Sequence, residues 1–395
     1  MIYVDVTGAC LLPLQSGIPR TTRGVYRLLE KDFPEITPIF WQPFRGSYTK
    51  LSPRARALLD DPFANRQRLR CAPRDSTIPL LWASFCDLIF SRPQIVPLPK
   101  LMRTEDTLLL TSIFPDNRLK YLERLVTGPG FKIAIFHDAI PLRDPNVAQW
   151  EKARHIQTLR LFAQMDRVVA VSQAASKELQ ALWVEHGISP RASVGVIPWP
   201  VPFTTSRPSF SQPPWDKKTV LYVSRLKQIK NHAILFEVCE TFWRDGIDFT
   251  LELIGCEDEA KESRQLVREI KRLQKMGRPI SWRAQVTEEK LHAAYQHATF
   301  TVFPSLMEGF GLPIIESFWH GRAVICSDRD AMGEVSSGSG CLQVNVRDAH
   351  ALAAVMSSLL QDQARCEALS KEAYERPLRS WDDYGRELKT ILENR

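Results

Sequence analysis

Short apolar runs rich in β-branched residues alternate with helix-length segments along almost the whole chain, and the alternation breaks once, between 198 and 218. In the first series IYVDV (2–6), PIFW (38–41), TLLLTSI (107–113), KIAIFHD (132–138), RVVAVS (167–172) and SVGVIP (193–198) read as strands. Helical patterns occupy 18–31, 147–165 and AASKELQALWVEHG, which Gly187 closes as a C-terminal cap. The break, PWPVPFTTSRPSFSQPPWDKK, is dense in Pro and Ser and has no period, as a linker does. A second series follows: TVLYVS (219–224), a helix from about 231, TLELIG (250–255), a helix near 259–276 and ISWRAQ (280–285). It ends with a helix opened by Thr287, TFTVFPS (299–305), a helix from 313 and AVICS (323–327). Near-continuous apolar strands separated by helices predict parallel sheets covered on both faces. At 395 residues the chain exceeds what one core supports. The expectation is therefore α/β, with two doubly wound, Rossmann-like domains facing across a cleft, 1–203 and 204–378.

In such sheets ligands sit beyond the carboxyl ends of the strands, and the chemistry-bearing motifs of this chain lie there. EGFGLPIIE, Glu308 to Glu316, follows a strand and opens a helix. Gly309 and Gly311 permit close backbone approach, and Pro313 suits the first helical position. The backbone N–H groups of Gly309, Phe310, Gly311 and Leu312 then form an anion-attracting nest at a helix N-terminus. Each carboxylate can accept two hydroxyl hydrogen bonds at once, as a vicinal diol on a sugar or ribose requires. Earlier, VSRLKQIKN places Arg225 and Lys230 just after a strand, with Asn231 able to cap the next helix. Two cations five residues apart on one turn could both reach a diphosphate, Arg in bidentate fashion and Lys as a compact charge.

Arg-x4-Lys after one strand and Glu-x7-Glu some eighty residues on resemble the C-terminal domain of retaining GT-B glycosyltransferases. The likeness is greatest to family 4, which includes bacterial mannosyl-, glucosyl- and rhamnosyl-transferases of surface-polysaccharide assembly. It runs over 219–345 and extends more loosely to 1–200 through the glycine loop, FHDAIPL and VVAVSQAASKEL. The tail RSWDDYGRELKTIL is similar to the family's final helix, so 379–395 is expected to cross back to the N-terminal domain. The resemblance implies that Arg225 and Lys230 hold the donor diphosphate, Glu308 contacts the transferred sugar and Glu316 accepts the ribose hydroxyls. It further implies that Gly17 approaches a phosphate with Arg20 nearby, and that His137 lies beside the reacting sugar carbon. The first loop departs from the family's paired glycines, reading Ser16-Gly17-Ile18-Pro19, and Ser224 and Gln285 stand where glycines are common. What it implies overall is retaining hexosyl transfer, with mannose as one sugar, from a nucleotide-diphosphate donor to a saccharide or lipid-diphosphate-linked acceptor. No metal or other cofactor is expected, although Asp328-Arg329-Asp330 matches the DxD pattern of the other glycosyltransferase fold.

Charge and cysteines bound the rest. Net charge is +7, and residues 1–100 hold 14 Lys and Arg against 8 Asp and Glu, much of the excess between Arg54 and Arg74. That segment, with Arg66, Arg68 and Arg70, is either a solvated face or a cationic surface for anionic lipid headgroups or a diphosphate-bearing acceptor. Nucleic acid is not expected, since no interleaved aromatics or recognition module accompany it. Eight scattered cysteines without a CxxC pair read as reduced thiols, and no signal peptide or spanning segment stands out. A cytoplasmic protein, with an inner membrane face as a candidate surface, is the expectation. A nucleotide-dependent oxidoreductase is disfavoured because no GxGxxG or GxxxxGK[ST] follows a strand. A non-catalytic glycan- or nucleic-acid-binding protein on the same scaffold is the alternative.

Overall fold

A computed structural model describes residues 1–10, 17–61, 91–112, 116–203, 205–257 and 260–394. The chain divides into two compact units, Met1–Pro202 with Arg379–Arg395, and Phe203–Leu378.

In the first unit the described strands are β1 Ile2–Asp5, β2 Ile36–Gln42, β3 Ser47–Lys50, β4 Ile95–Val96, β5 Thr107–Leu110, β6 Phe131–Phe136, β7 Arg167–Ala170 and β8 Ser193–Val196. They form one sheet in the order β4-β3-β2-β1-β5-β6-β7-β8. From β2 to β8 neighbours run parallel, Ile2 pairing with both Ile36 and Thr107. The expectation of a wholly parallel sheet is corrected at one edge, where β3 returns antiparallel along β2 and β4 along β3. Strands of four and two residues carry too little pattern to announce themselves. Helices Gly17–Asp32, Gln149–Ala163 and Gln173–Glu185 form where the 3.6-residue period was read, and Gly187 ends the last of them with φ +60°. The terminal helix Trp381–Glu393 begins with a capping box at Ser380 and Asp383 and buries Tyr384, Leu388 and Leu392. It packs on Gly17–Asp32 through two glycine notches. A Cβ on Gly24 would lie 2.0 Å from the Trp381 ring, and one on Gly385 would lie 2.8 Å from Leu28.

The second unit contains β9 Thr219–Val223, β10 Thr250–Ile254, β11 Ile280–Arg283, β12 Phe300–Phe303, β13 Val324–Ser327 and β14 Cys341–Val344. Its order, β11-β10-β9-β12-β13-β14, is parallel throughout. This is the doubly wound order in which the chain reverses direction beside its first strand, here between β9 and β12. The loops after those two strands flank the crevice that this reversal opens.

The proline-rich segment has no regular structure, yet it is not loose. Trp199 and Val201 are buried in the first unit and Phe203 in the second. Arg322, itself buried, donates to Ser211 O at 2.8 Å, Ser211 Oγ at 3.0 Å and Gln296 O at 2.6 Å, fastening the start of the second unit to its helices. Such multiply satisfied guanidinium groups are the tolerable form of a buried charge. Among the described residues no helix is long and apolar enough to cross a membrane.

Candidate functional site

The turn after β9 is fixed from three sides. Ser224 N–H donates to Ile254 O at 2.9 Å and Leu226 N–H to Cys256 O at 2.9 Å, which ties it to the end of β10. A short 3-10 turn, Gln228–Lys230, then leads into helix His232–Arg244, and the Tyr222 hydroxyl donates to the Lys230 carbonyl at 2.5 Å. His232 lies 3.2 Å from Ser224 Oγ, and burial pulls its pKa down to about 3, so the ring is neutral. Asn231 does not cap this helix with its side chain, contrary to expectation. It adopts a left-handed conformation, φ +59°, and its Nδ2 donates to Val346 O at 2.8 Å. A tertiary acceptor for its Nδ2 has outcompeted the local N–H donors that its Oδ1 would serve as a cap.

The turn after β12 is joined to the first by a bond from Leu306 N–H to Ile229 O at 2.8 Å. The link brings Lys230 and Glu308 together across 78 residues of sequence, Nζ to Oε1 at 2.5 Å. Both side chains keep a little exposure, 16% for Lys230 and 13% for Glu308. Arg225 is half-buried on the same turn as Lys230. The sequence reading gave Lys230 to a phosphate and Glu308 to a sugar separately, whereas here each holds the other.

Gly311 supplies the left-handed turn, φ +100°, that swings the chain into helix Leu312–Trp319. A Cβ there would be strained in any available space. Leu312 is the first helical residue, so Pro313 is second rather than first, still within the turn whose N–H groups have no intrahelical acceptor. Gly309 and Phe310 are buried just before the helix. Glu316 sits one turn in and is only 3% exposed, and its Oε2 accepts the Tyr295 hydroxyl at 2.7 Å. Tyr295, missed in the sequence, stands 21 residues away on helix Glu288–His297, a contact with no local signature. Thr287 caps that helix as expected, accepting from Lys290 N–H at 3.2 Å. Asp330, of the DxD pattern, has φ +51° and opens helix Asp330–Ser336. Among the described residues it is not part of any group of three ligand-type side chains.

In the first unit Gly17 begins helix Gly17–Asp32, with Arg20 buried in its first turn. Thr22, on the same helix, lies 3.3 Å from Thr111 Oγ1, and Thr111 Oγ1 donates to Asp5 O at 2.6 Å. The carbonyl of Thr111 accepts from His137 Nε2 at 2.8 Å. His137 therefore stands just past the end of β6 as a neutral ring with Nε2–H committed, and burial lowers its pKa to about 4. Its face stacks on Trp199 at 5.7 Å, and Trp199 stacks in turn on Tyr384 of the terminal helix at 5.1 Å. The basic stretch holding Arg66, Arg68 and Arg70 lies outside the described residues. Nearby Arg56 is engaged by Glu30 and Asp60 at 2.9 and 3.0 Å.

Residues 206–376 match the family model of glycosyl transferases group 1. The serotype-specific mannosyltransferase WbdA of Escherichia coli is 23% identical over 258 residues, covering 60% of this chain and 31% of that protein. The chain thus spans under a third of the length of that relative. The O-antigen chain mannosyltransferase B of Escherichia coli is 37% identical over 83 residues, 21% of this chain and 22% of that one. Among solved structures, sucrose-phosphate synthase from Thermosynechococcus elongatus superposes over 100% of this chain and 98% of its own, with TM-score 0.67 and 17% identity. The pneumococcal O-GlcNAc transferase GtfA, solved with UDP and GlcNAc, aligns over 75% of this chain and 58% of its own, with TM-score 0.56 and 16% identity. The family match falls on the unit whose strand ends bear Arg225, Lys230, Glu308 and Glu316. The second unit is thus similar to the glycosyl transferases group 1, and the chain takes the GT-B fold.

Proposed function

We propose that this protein moves a hexosyl group, mannose-like by kinship, from a nucleotide-diphosphate sugar to a saccharide or lipid-diphosphate-linked saccharide during polysaccharide assembly. The observation that carries the reading is the Lys230–Glu308 pair beside the strand-order reversal of the second sheet. As the bond from the anomeric carbon to the diphosphate breaks, negative charge grows on the departing oxygen. Arg225 and Lys230 are suited to meet that charge, and preorganised charges of this kind are the largest single source of rate in many enzymes. Lys230 is a point charge on a flexible stem, so it can leave Glu308 for a phosphate and release the carboxylate toward sugar hydroxyls. Glu316, with the N–H groups of Gly309, Phe310, Gly311 and Leu312, would hold the ribose and the donor's polar groups.

The reading includes retention and independence from metal. The acceptor hydroxyl bonds to the anomeric carbon on the face the diphosphate leaves, and its proton passes to a donor phosphate oxygen. No enzyme carboxylate need attack. In the first unit His137 offers a neutral imidazole to a sugar hydroxyl, while Gly17 and Arg20 stand at a helix start suited to an anion. The basic 54–74 segment would attract an anionic membrane surface or a diphosphate-linked acceptor, so liposome binding should weaken with salt.

Incubation with labelled UDP- and GDP-hexoses tests the activity. Transfer, or slow donor hydrolysis without acceptor, is expected and should persist in a chelator, with the anomeric configuration of the product matching the donor. A protein that only binds glycans would release no nucleotide from any donor.

A further inference from the structure

Glu316 is nearly sealed from water, and a carboxylate in that position must have its orientation set by protein groups before a ligand arrives. The structure supplies a stack that does so. The Tyr295 hydroxyl donates to Glu316 Oε2 at 2.7 Å, and Tyr295 is itself 1% exposed. Its ring lies parallel to that of His320, centroids 4.8 Å apart and planes 10° apart. Its carbonyl accepts from Arg322 Nε at 3.0 Å, so the residue is fixed at both ends.

His320 is fixed as firmly. Its Nδ1–H donates to the Glu316 carbonyl at 2.8 Å, because a carbonyl can only accept. Burial holds its pKa at about 3, so Nε2 carries no proton and accepts from His292 Nδ1–H at 2.8 Å. Phe203 closes the stack, 4.3 Å from His292 and 5.3 Å from His320 between centroids. Every member of this cluster is buried or half-buried, and its bonds converge on Tyr295 and on the backbone and carboxylate of Glu316.

We propose that Tyr295 is a positioning residue for Glu316, locking the carboxylate plane so that it meets both hydroxyls of a ribose. The proposal rests on the reading of Glu316 as the ribose acceptor and adds the group that aims it. A carboxylate has about four lone-pair sites. The Tyr295 hydroxyl takes one of them and restricts rotation of the group. A site built to bond a particular hydroxyl rejects an analogue that lacks it far more strongly than an apolar pocket could. The lock should therefore appear as selectivity for ribonucleotides over 2′-deoxyribonucleotides.

The test uses the full chain and titrates UDP, GDP and ADP, then the 2′-deoxy counterpart of whichever binds tightest. The wild-type protein should favour the ribonucleotide by roughly tenfold or more. Tyr295→Phe keeps the ring on His320 and removes only the hydroxyl. It should weaken the ribonucleotide about tenfold while changing the deoxynucleotide by less than about threefold, with little change in melting temperature. Equal weakening of both, or of neither, would overturn the positioning role and leave Tyr295 a packing residue. Glu316→Gln separates this from the parent reading. If that variant discriminates as well as the wild type does, or if no nucleotide binds the wild type, the ribose assignment fails and the proposal with it. If Glu316→Gln loses discrimination and Tyr295→Phe does not, the proposal alone fails. A double variant no weaker toward the ribonucleotide than Glu316→Gln shows that the hydroxyl acts through the carboxylate.

Discussion

Each of the two sheets reverses its strand order once, and beside each reversal a cation lies against a carboxylate, yet the two pairs differ in burial and in the number of bonds that support them. In the first unit Arg118 reaches Asp5, at the end of β1, at 2.5 Å, with side chains 2% and 0% exposed. Asp5 also accepts from the Tyr48 hydroxyl at 2.7 Å, from Thr7 Oγ1 at 2.6 Å and from Thr7 N–H at 3.0 Å. Arg118 in turn grips Asp116, with its Nε 2.8 Å from Oδ1. In the second unit Lys230 and Glu308 remain partly wet. The first pair is dry, forked and supported on all sides, whereas the pair proposed to open for a ligand uses the flexible ammonium and keeps contact with solvent. For these two pairs, charge and position after a strand do not tell them apart; burial and the number of supporting bonds do.

The contrast breaks if the buried pair proves dispensable. Arg118→Met leaves Asp5 charged and desolvated, and should cost about 3–5 kcal/mol in denaturant unfolding. A loss under about 1 kcal/mol would mean that the network relaxes and that burial is a poor guide here.

Lys230→Met should do the reverse. Unfolding free energy should move by no more than about 1 kcal/mol, while turnover falls about 100- to 1,000-fold, some 3–4 kcal/mol of transition-state stabilisation. Steady-state kinetics decides it: kcat must fall, since charge on the leaving group grows toward the transition state. A raised KM at constant kcat would return Lys230 to a simple binding role.

Acid should test both units through their buried histidines. His137 in the first unit has its pKa lowered from 6.5 to about 4, and His232 and His320 in the second from 6.5 to about 3, by burial in each case. The unfolded chain takes up these protons first as pH falls through its ordinary histidine value, so stability is fully present above that value and drains away on acidification. Between pH 7 and pH 5 each of these three rings should contribute a loss of about 2 kcal/mol, and His155, buried in the first unit with its pKa also lowered by burial, adds to it in the same direction. Urea unfolding across that range measures the slope, and His137→Gln should remove about 2 kcal/mol of the loss. A flat profile would show that these rings are hydrated in solution.

The helix that returns to the first unit offers a smaller effect. Gly24→Ala drives a methyl into the Trp381 ring, and overpacking of this kind costs roughly 1–3 kcal/mol. Gly385→Ala meets only the flexible end of Leu28 and should cost less. Equal losses in thermal unfolding would mean that the helix slides as a body instead of clashing locally.

These contrasts also mark what the sequence could reveal. In the second unit the charged groups stand within two contiguous stretches, each after a strand whose apolar pattern is unmistakable, so Arg225, Lys230, Glu308 and Glu316 were legible. Their mutual contacts were not. Tyr295 lies 21 residues from Glu316 and Arg118 lies 113 from Asp5, and only folding relates them. The edge strands β3 and β4 and the closing strand β14 escaped notice because two to four residues cannot display a period. The proline-rich break was read correctly as irregular but not as packed, since Pro and Ser content reports the lack of a repeating backbone and says nothing of the buried Trp199, Val201 and Phe203 between them. Asn231 was given to its own helix because capping is the commonest local use of Asn, and a distant carbonyl prevailed.

Asp330 sharpens the comparison at its finest point, between carboxylates that act and carboxylates that merely stand at a strand end. It occupies the left-handed region at φ +51°, which costs a residue with a Cβ about 1–2 kcal/mol. Asp330→Gly removes that strain and also removes a negative charge from a helix start, worth about 0.3–1 kcal/mol. The two nearly cancel, so melting temperature should move little. In the transfer assay the variant should keep wild-type turnover, with and without chelator, because Arg225 and Lys230 rather than a cation held by Asp328 and Asp330 are assigned to the diphosphate. If turnover collapses in Asp330→Gly and is restored in part by excess Mn²⁺, the DxD spacing is functional after all. The charge on the leaving group would then be shared between a metal and the Lys230 turn, and the wet pair would lose its claim to be the principal electrostatic device of the second unit.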